Sequence, residues 1–250
     1  DFTDLMRYDR ATGELIPVLS DVGFDIDGIA VSPDRSRMAV SYNRDGLSTI
    51  LVIDMNRLEL IAGPSERSPG VVSSMRFSPD GESLAMRVSQ PEVPWRSGLY
   101  DYRTGAFEPW TGGFKPNQKM TSLVPDLTTY KTFDMDGDAP RRIPLLAYRP
   151  STASPENPAP VVIFAHGGPE SQSRPSFSRF YHYIVTQMGI AVLRPNIRGS
   201  DGYGKTFEQL DETTRRGDAI RDIGALLDWI EEQPDLDASR VVVAGGSYGG

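Results

Sequence analysis

The first 113 residues alternate between apolar and polar positions with a period of two, the grammar of strands that bury one face. The pattern repeats. GIAVSPDRSRMAV (28–40) aligns with SMRFSPDGESLAM (74–86) at an offset of 46 residues, placing Ser-Pro-Asp on Ser-Pro-Asp, Ile29 on Met75, Val31 on Phe77, Met38 on Leu84 and Val40 on Met86. Each copy reads as a hairpin around a Pro-Asp turn. A second strand pair follows each hairpin, over 47–63 and 98–112, and a third copy of that pair opens the chain at 5–19. Asp9, Asp54 and Asp101 recur at matching places in these pairs. Four short strands per 40–50 residues predict the blades of a β-propeller: two full blades and the tail of a third. A β-sandwich also alternates, but it does not explain the shared period.

The stretch 114–128 is polar with two prolines and reads as a linker. Residues 129–150 predict two strands around a turn at Asp136–Gly137. The pattern then changes. VVIFA (161–165), IAVL (190–193) and RVVVAG (240–245) are continuous apolar runs suited to strands covered on both faces. Between them lie a helix with Phe177, Phe180, Tyr181, Ile184 and Met188 on one side, and an amphipathic helix over 218–232 with Ile220, Ile223, Leu227 and Ile230 as its apolar stripe. Alternating strands and helices predict a mostly parallel sheet with helices on both faces over 129–250.

Composition narrows the function. A net charge of −8 argues against nucleic-acid and anionic-membrane partners. The absence of cysteine removes disulfides, thiolate metal sites and a cysteine nucleophile. No apolar run approaches the length of a membrane span. The compartment and the oligomeric state stay open. Asp134, Asp136 and Asp138 alternate like calcium ligands, but no Glu closes the loop, so a solvated turn and no metal site are expected. No cofactor is expected.

Two motifs compete for the chemistry. GSDGYGKT (199–206) spells the phosphate-cradling loop, and GGSYGG (245–250) contains the serine turn G-x-S-x-G. A phosphate loop joins a buried strand directly to a helix. Here RPNIR intervenes after Leu193, periodic helix resumes only near 218, and Asp201 would put a negative charge inside an anion cradle. The serine turn, by contrast, follows a β-branched strand at once. Ser247 would be raised at the end of the sheet, with the Tyr248 N–H beside it as an oxyanion donor. His166-Gly167-Gly168-Pro169 follows an earlier strand, where a second donor is required. The Gly168 N–H is the candidate, with Gly167 as substitute, and Pro169 has no N–H.

HGGP, NIRGSDGYGKTF (196–207) and GGSYGG together resemble the prolyl oligopeptidase family of serine peptidases, in its acylaminoacyl-peptidase-like branch. The resemblance implies an α/β-hydrolase domain preceded by a β-propeller, with Ser247 as nucleophile and short peptides as substrates. An esterase on the same fold, and a propeller binding module with a degenerate hydrolase domain, are the rival readings. In this fold the triad acid and histidine follow the serine in chain order. The two ends read as cut, and a fragment lacking both partners is expected to be inactive. His166 is expected to brace its loop, His182 to be an ordinary helix residue, Asp218 to charge a helix start, Asp222 to pair with an arginine, and Arg198 to support its loop or touch substrate.

Overall fold

The computed structural model describes residues 1–19, 22–63, 70–111, 122–168 and 170–250. Most of the stretch read as linker, and Pro169, lie outside the described residues. The chain divides into two compact units, one of Asp1–Lys115 with Gly202–Gly204, the other of Pro116–Asp201 with Lys205–Gly250.

The first unit is antiparallel throughout. Strands β1 (Leu5–Tyr8) and β2 (Leu15–Leu19) pair with each other. β3 (Ile26–Val31), β4 (Arg37–Arg44), β5 (Leu47–Asp54) and β6 (Glu59–Ala62) form one four-stranded sheet in sequential order. β7 (Val71–Phe77), β8 (Leu84–Gln90), β9 (Val93–Asp101) and β10 (Ala106–Pro109) form a second. These are the repeat's two blades and a terminal pair. The recurring aspartates have one job in each copy. Oδ1 of Asp9 accepts from the N–H groups of Ala11 and Thr12, Asp54 from Asn56 and Arg57, and Asp101 from Arg103 and Thr104. Each carboxylate thereby closes the turn between two strands. Those N–H groups hold all three carboxyls below their ordinary range. The Ser-Pro-Asp turns work likewise: Ser32 Oγ donates to Asp34 and Ser78 Oγ to Asp80. The two blades share a core of Ala39, Ile50, Val52, Phe77, Leu84, Met86, Tyr100 and Tyr102. The repeat is imperfect, since Phe77 is buried while its counterpart Val31 is 44% exposed.

The second unit is built on one five-stranded sheet. It contains β11 (Asp126–Asp136), β12 (Ala139–Tyr148), β13 (Ala159–Ala165), β14 (Ala191–Pro195) and β15 (Leu236–Gly245), in spatial order β11-β12-β14-β13-β15. β13 runs parallel to both of its neighbours, and β12 runs antiparallel to β14. β11 begins at Asp126, inside the stretch read as linker. Three helices join the strands: α1 (Arg179–Gln187), α2 (Lys205–Glu208) and α3 (Arg216–Glu231).

Successive side chains of the central strands go to opposite faces. Ile143, Leu145, Ala147, Val161, Ile163 and Leu193 pack under Leu226 and Ile230 of α3. Leu146, Tyr148 and Val192 pack under Ile184 and Val185 of α1. β13 and β14 therefore serve two cores, one per face, whereas β15, also expected to be covered on both faces, is not: Val242 and Val243 are 59% and 51% exposed.

Both helix stripes differ from the sequence expectation. In α1 the buried residues are His182, Ile184 and Val185, while Phe180 and Met188 are exposed and Phe177 precedes the helix. In α3 the buried residues are Ala219, Asp222, Leu226 and Ile230, while Ile220 and Leu227 are exposed. The α3 stripe is rotated because a charged residue, Asp222, is drawn into the core by an arginine. Hydrophobicity alone cannot register that. Asp134 also departs from a solvated turn: it is ion-paired to Arg141 and Arg198.

Candidate active site

β13 and β15 are parallel neighbours in register, with Ala165 opposite Gly245 at their ends. The loops that follow them must therefore leave the sheet at the same edge. This brings two segments about 80 residues apart side by side. A Cβ placed on Gly167 would stand 3.2 Å from Ser247 Cβ and 3.7 Å from Ser247 Oγ.

The turn itself is tight. Gly246 is extended, and Ser247 adopts φ +57°, in the left-handed region that a side chain normally avoids. Such a conformation costs about 1–3 kcal/mol and persists only where its surroundings enforce it. Here the enforcement is close packing. A side chain on Gly245 would run into the Gly249 carbonyl, and one on Gly249 into the carbonyls of Ala165 and His166. Two bonds, Gly249 N–H to the Gly246 carbonyl and Gly250 N–H to the Ser247 carbonyl, lock the turn. Ser247 is exposed at its tip.

The facing loop is braced by His166. Its Nδ1 lies 2.9 Å from the Gly167 carbonyl and its Nε2 lies 2.9 Å from Ser200 Oγ. Burial lowers the ring's pKa, with the Gly167 carbonyl opposing, so the neutral form is favoured. In the tautomer that carries its proton on Nδ1, that N–H donates to the Gly167 carbonyl, and Nε2 accepts from the Ser200 hydroxyl. A trans peptide sets its C=O and N–H in opposite directions, so the Gly168 N–H points away from the His166 ring. The N–H groups of Gly168 and Tyr248 are not taken up by a backbone carbonyl in the described turns and loops.

Neither histidine is placed to deprotonate Ser247. His166 is committed at both ring nitrogens. His182 is buried in α1, with its ring 4.8 Å from that of Phe177. Arg198 is fully engaged as well. Its Nε and Nη2 donate to Asp222 at 2.9 and 2.8 Å, and Nη2 donates to Asp134 at 2.7 Å. Burial opposes its charge, but the bonds to Asp222 and Asp134 outweigh it and raise the pKa. Arg198 is a brace between β11, α3 and the loop after β14. Asp222 is the arginine partner anticipated in sequence. Asp218 lies in the first turn of α3, where it pairs with Arg221 without capping the helix.

The rival glycine loop has none of the geometry of a phosphate cradle. Its beginning, 196–200, is buried. α2 is only four residues long. The carboxylate of Asp211 fills the space beside Gly199 where an anion would have to approach. Sequence inspection missed Asp211 altogether. It is 3% exposed and accepts a hydrogen bond from the Tyr248 hydroxyl at 2.8 Å. No cluster of three metal-ligating side chains occurs among the described residues, and no described helix is long and apolar enough to cross a membrane.

Residues 175–250 match the model of the prolyl oligopeptidase family. Over 98% of its length the chain is 26% identical to dipeptidyl aminopeptidase BIII of Pseudoxanthomonas mexicana, covering 36% of that protein. It is 30% identical to the acylamino-acid-releasing enzyme of Mus musculus, over 50% of this chain and 16% of the other. Among solved structures, puromycin hydrolase superposes over 99% of this chain with a TM-score of 0.84 at 22% identity, covering 38% of that chain. An acylaminoacyl peptidase from Pyrococcus horikoshii gives 0.73 at 20% identity, covering 98% of this chain and 36% of that one. The chain spans about a third of the length of the relatives it matches. Its fold is the β-propeller and α/β-hydrolase pair of these structures, and its residues 175–250 are similar to the prolyl oligopeptidase family.

Proposed function

We propose that Ser247 is the nucleophile of a serine peptidase that cleaves short peptides through an acyl-enzyme. The observation that carries this reading is the left-handed, exposed Ser247 at the end of a parallel strand, with the Gly167–Gly168 loop against it. Three features support it. The turn presents the hydroxyl to solvent at the edge of the sheet where open α/β folds bind ligands. The N–H groups of Gly168 and Tyr248 are available for a carbonyl oxygen that gains charge. The relatives bear peptidase names.

In the first step, Oγ of Ser247 attacks the scissile carbonyl carbon while a base takes its proton. The carbonyl oxygen becomes an anion, stabilised by the two N–H groups. Each such donor lowers the barrier by a few kcal/mol. Collapse expels the amine, which takes up the proton, and leaves an ester on Ser247. Water then hydrolyses that ester by the same route. The reading requires a base and an orienting acid that the described residues do not offer near Ser247.

A fluorophosphonate probe tests the proposal on a chain extended to the length of the relatives. Stoichiometric labelling lost in Ser247→Ala is expected, together with hydrolysis of aminoacyl amides. Equal labelling of the Ser247→Ala variant would refute the assignment. Hydrolysis of short-chain esters alone would leave the nucleophile standing and transfer the substrate class to the esterase reading.

A further inference from the structure

We propose that the segment between β14 and α3 is a positioning frame that sets the spacing of both oxyanion donors, Asp211 acting on Tyr248 and Ser200 on the Gly167–Gly168 peptide. The proposal rests on the assignment of Ser247 above.

The first arm runs through Asp211. Its carboxylate is buried and rests on Gly199, whose φ of +91° and lack of a side chain make room for it. The Tyr248 hydroxyl donates to it at 2.8 Å. The bond joins residues 37 apart in sequence and ties the ring of Tyr248 to the frame. The guanidinium of Arg216 lies 5.7 Å from the centre of that ring and limits its swing. The backbone N–H of the same residue is the donor next to Ser247. Holding the ring restrains the Cα from which that amide departs. Burial and the Asp211 bond both raise the Tyr248 pKa, which keeps the phenol a donor at neutral pH.

The second arm runs through Ser200, whose side chain is wholly buried. Its Oγ sits 2.5 Å from the Ile197 carbonyl and 2.9 Å from His166 Nε2. His166 in turn holds the Gly167 carbonyl, and with it the opposed Gly168 N–H. The two donors come from different strands, yet both are referenced to one segment. Oxyanion donors contribute fully only when held within about half an ångström of the productive position. A common frame provides that tolerance better than two independent loops. Asp211 and Ser200 touch no reacting atom in this scheme and act as positioning residues.

The test uses the chain extended to the length of the relatives, with a short peptide amide as substrate. Tyr248→Phe and Asp211→Ala should each lower kcat by about tenfold, a fraction of the loss on removing a donor outright. KM should stay within about twofold, because the ground-state carbonyl needs the donors less. Tyr248→Phe combined with Asp211→Ala should be no worse than either alone, because both remove one bond. Asp211→Asn keeps an acceptor of the same shape and should recover most of the rate. Ser200→Ala should lower kcat independently, so its effect should multiply with that of Tyr248→Phe. Wild-type kcat in folded Tyr248→Phe and Asp211→Ala variants, or a loss confined to KM, overturns the frame. In the first of those cases an inactive Ser247→Ala leaves the nucleophile assignment intact. Activity persisting in Ser247→Ala overturns both.

Discussion

Arg198 Nη2 lies 2.8 Å from Asp222 Oδ1, and the two side chains are 3% and 0% exposed. Thr132 Oγ1 donates to the same carboxylate oxygen at 2.6 Å. This pair links the loop after β14 to α3 inside the second unit, and its partners satisfy nearly every lone pair that burial strips of water.

Removing Arg198 leaves the buried Asp222 carboxylate without a counter-charge, which costs about 3–5 kcal/mol, whereas removing Asp222 still leaves Arg198 paired to Asp134. Arg198→Met should therefore lower the unfolding free energy by an amount of that order. Arg198→Met combined with Asp222→Leu should recover much of the loss, since no charge then stays buried alone. Chemical denaturation of the three proteins checks this. A double variant no more stable than Arg198→Met alone would show that the pair is not coupled.

The serine turn depends on close backbone approach. Gly245→Ala forces its methyl into the Gly249 carbonyl, so Ser247 must shift. A displacement near 1 Å is enough to cost about a hundredfold in rate. Fluorophosphonate labelling of the extended chain should slow to that degree while thermal stability falls only modestly. Labelling at the parental rate would show that the turn tolerates a side chain.

His166 makes the Gly167–Gly168 loop acid-sensitive. Burial sets its folded pKa below the ordinary value near 6.5. Between those two values the unfolded state binds more protons, so stability rises with pH across the window. The contribution is complete above about pH 6.5 and is lost as pH falls through the folded pKa. Thermal melts of the parent and of His166→Gln should diverge above that window and converge below it. A constant difference at every pH would exclude this origin.

In the blades, Asp54→Ala removes the acceptor for two turn N–H groups, whereas Asp54→Asn retains it. The alanine variant should melt at lower temperature and the asparagine variant close to the parent. Equal melting of the two would show that the recurring aspartate is incidental to the turn.

The blades were legible because each strand pair is local: an alternating run, a turn aspartate and the same pattern again 45–47 residues later. The serine turn was legible for a related reason. A bend tight enough to put Ser247 in the left-handed region demands small neighbours, and Gly245 and Gly249 are written into the chain. The helix stripes were misjudged where the pattern met a long-range partner. Ile220 and Leu227 look like core residues by periodicity, yet Asp222 is the side chain that faces inward, held by Arg198 from 24 residues away.

The chain's own order of residues thus determined the two architectures and the nucleophile candidate, because those depend on spacings of a few residues and on steric demands that glycine and proline display openly. Tertiary structure alone decided that Ala165 faces Gly245, that Arg198 is consumed by Asp222 and Asp134, and that Tyr248 is tethered to Asp211. Each of these joins groups between 24 and 80 residues apart, where what counts is whether a buried charge or hydroxyl meets its complement. That meeting is settled by packing in three dimensions.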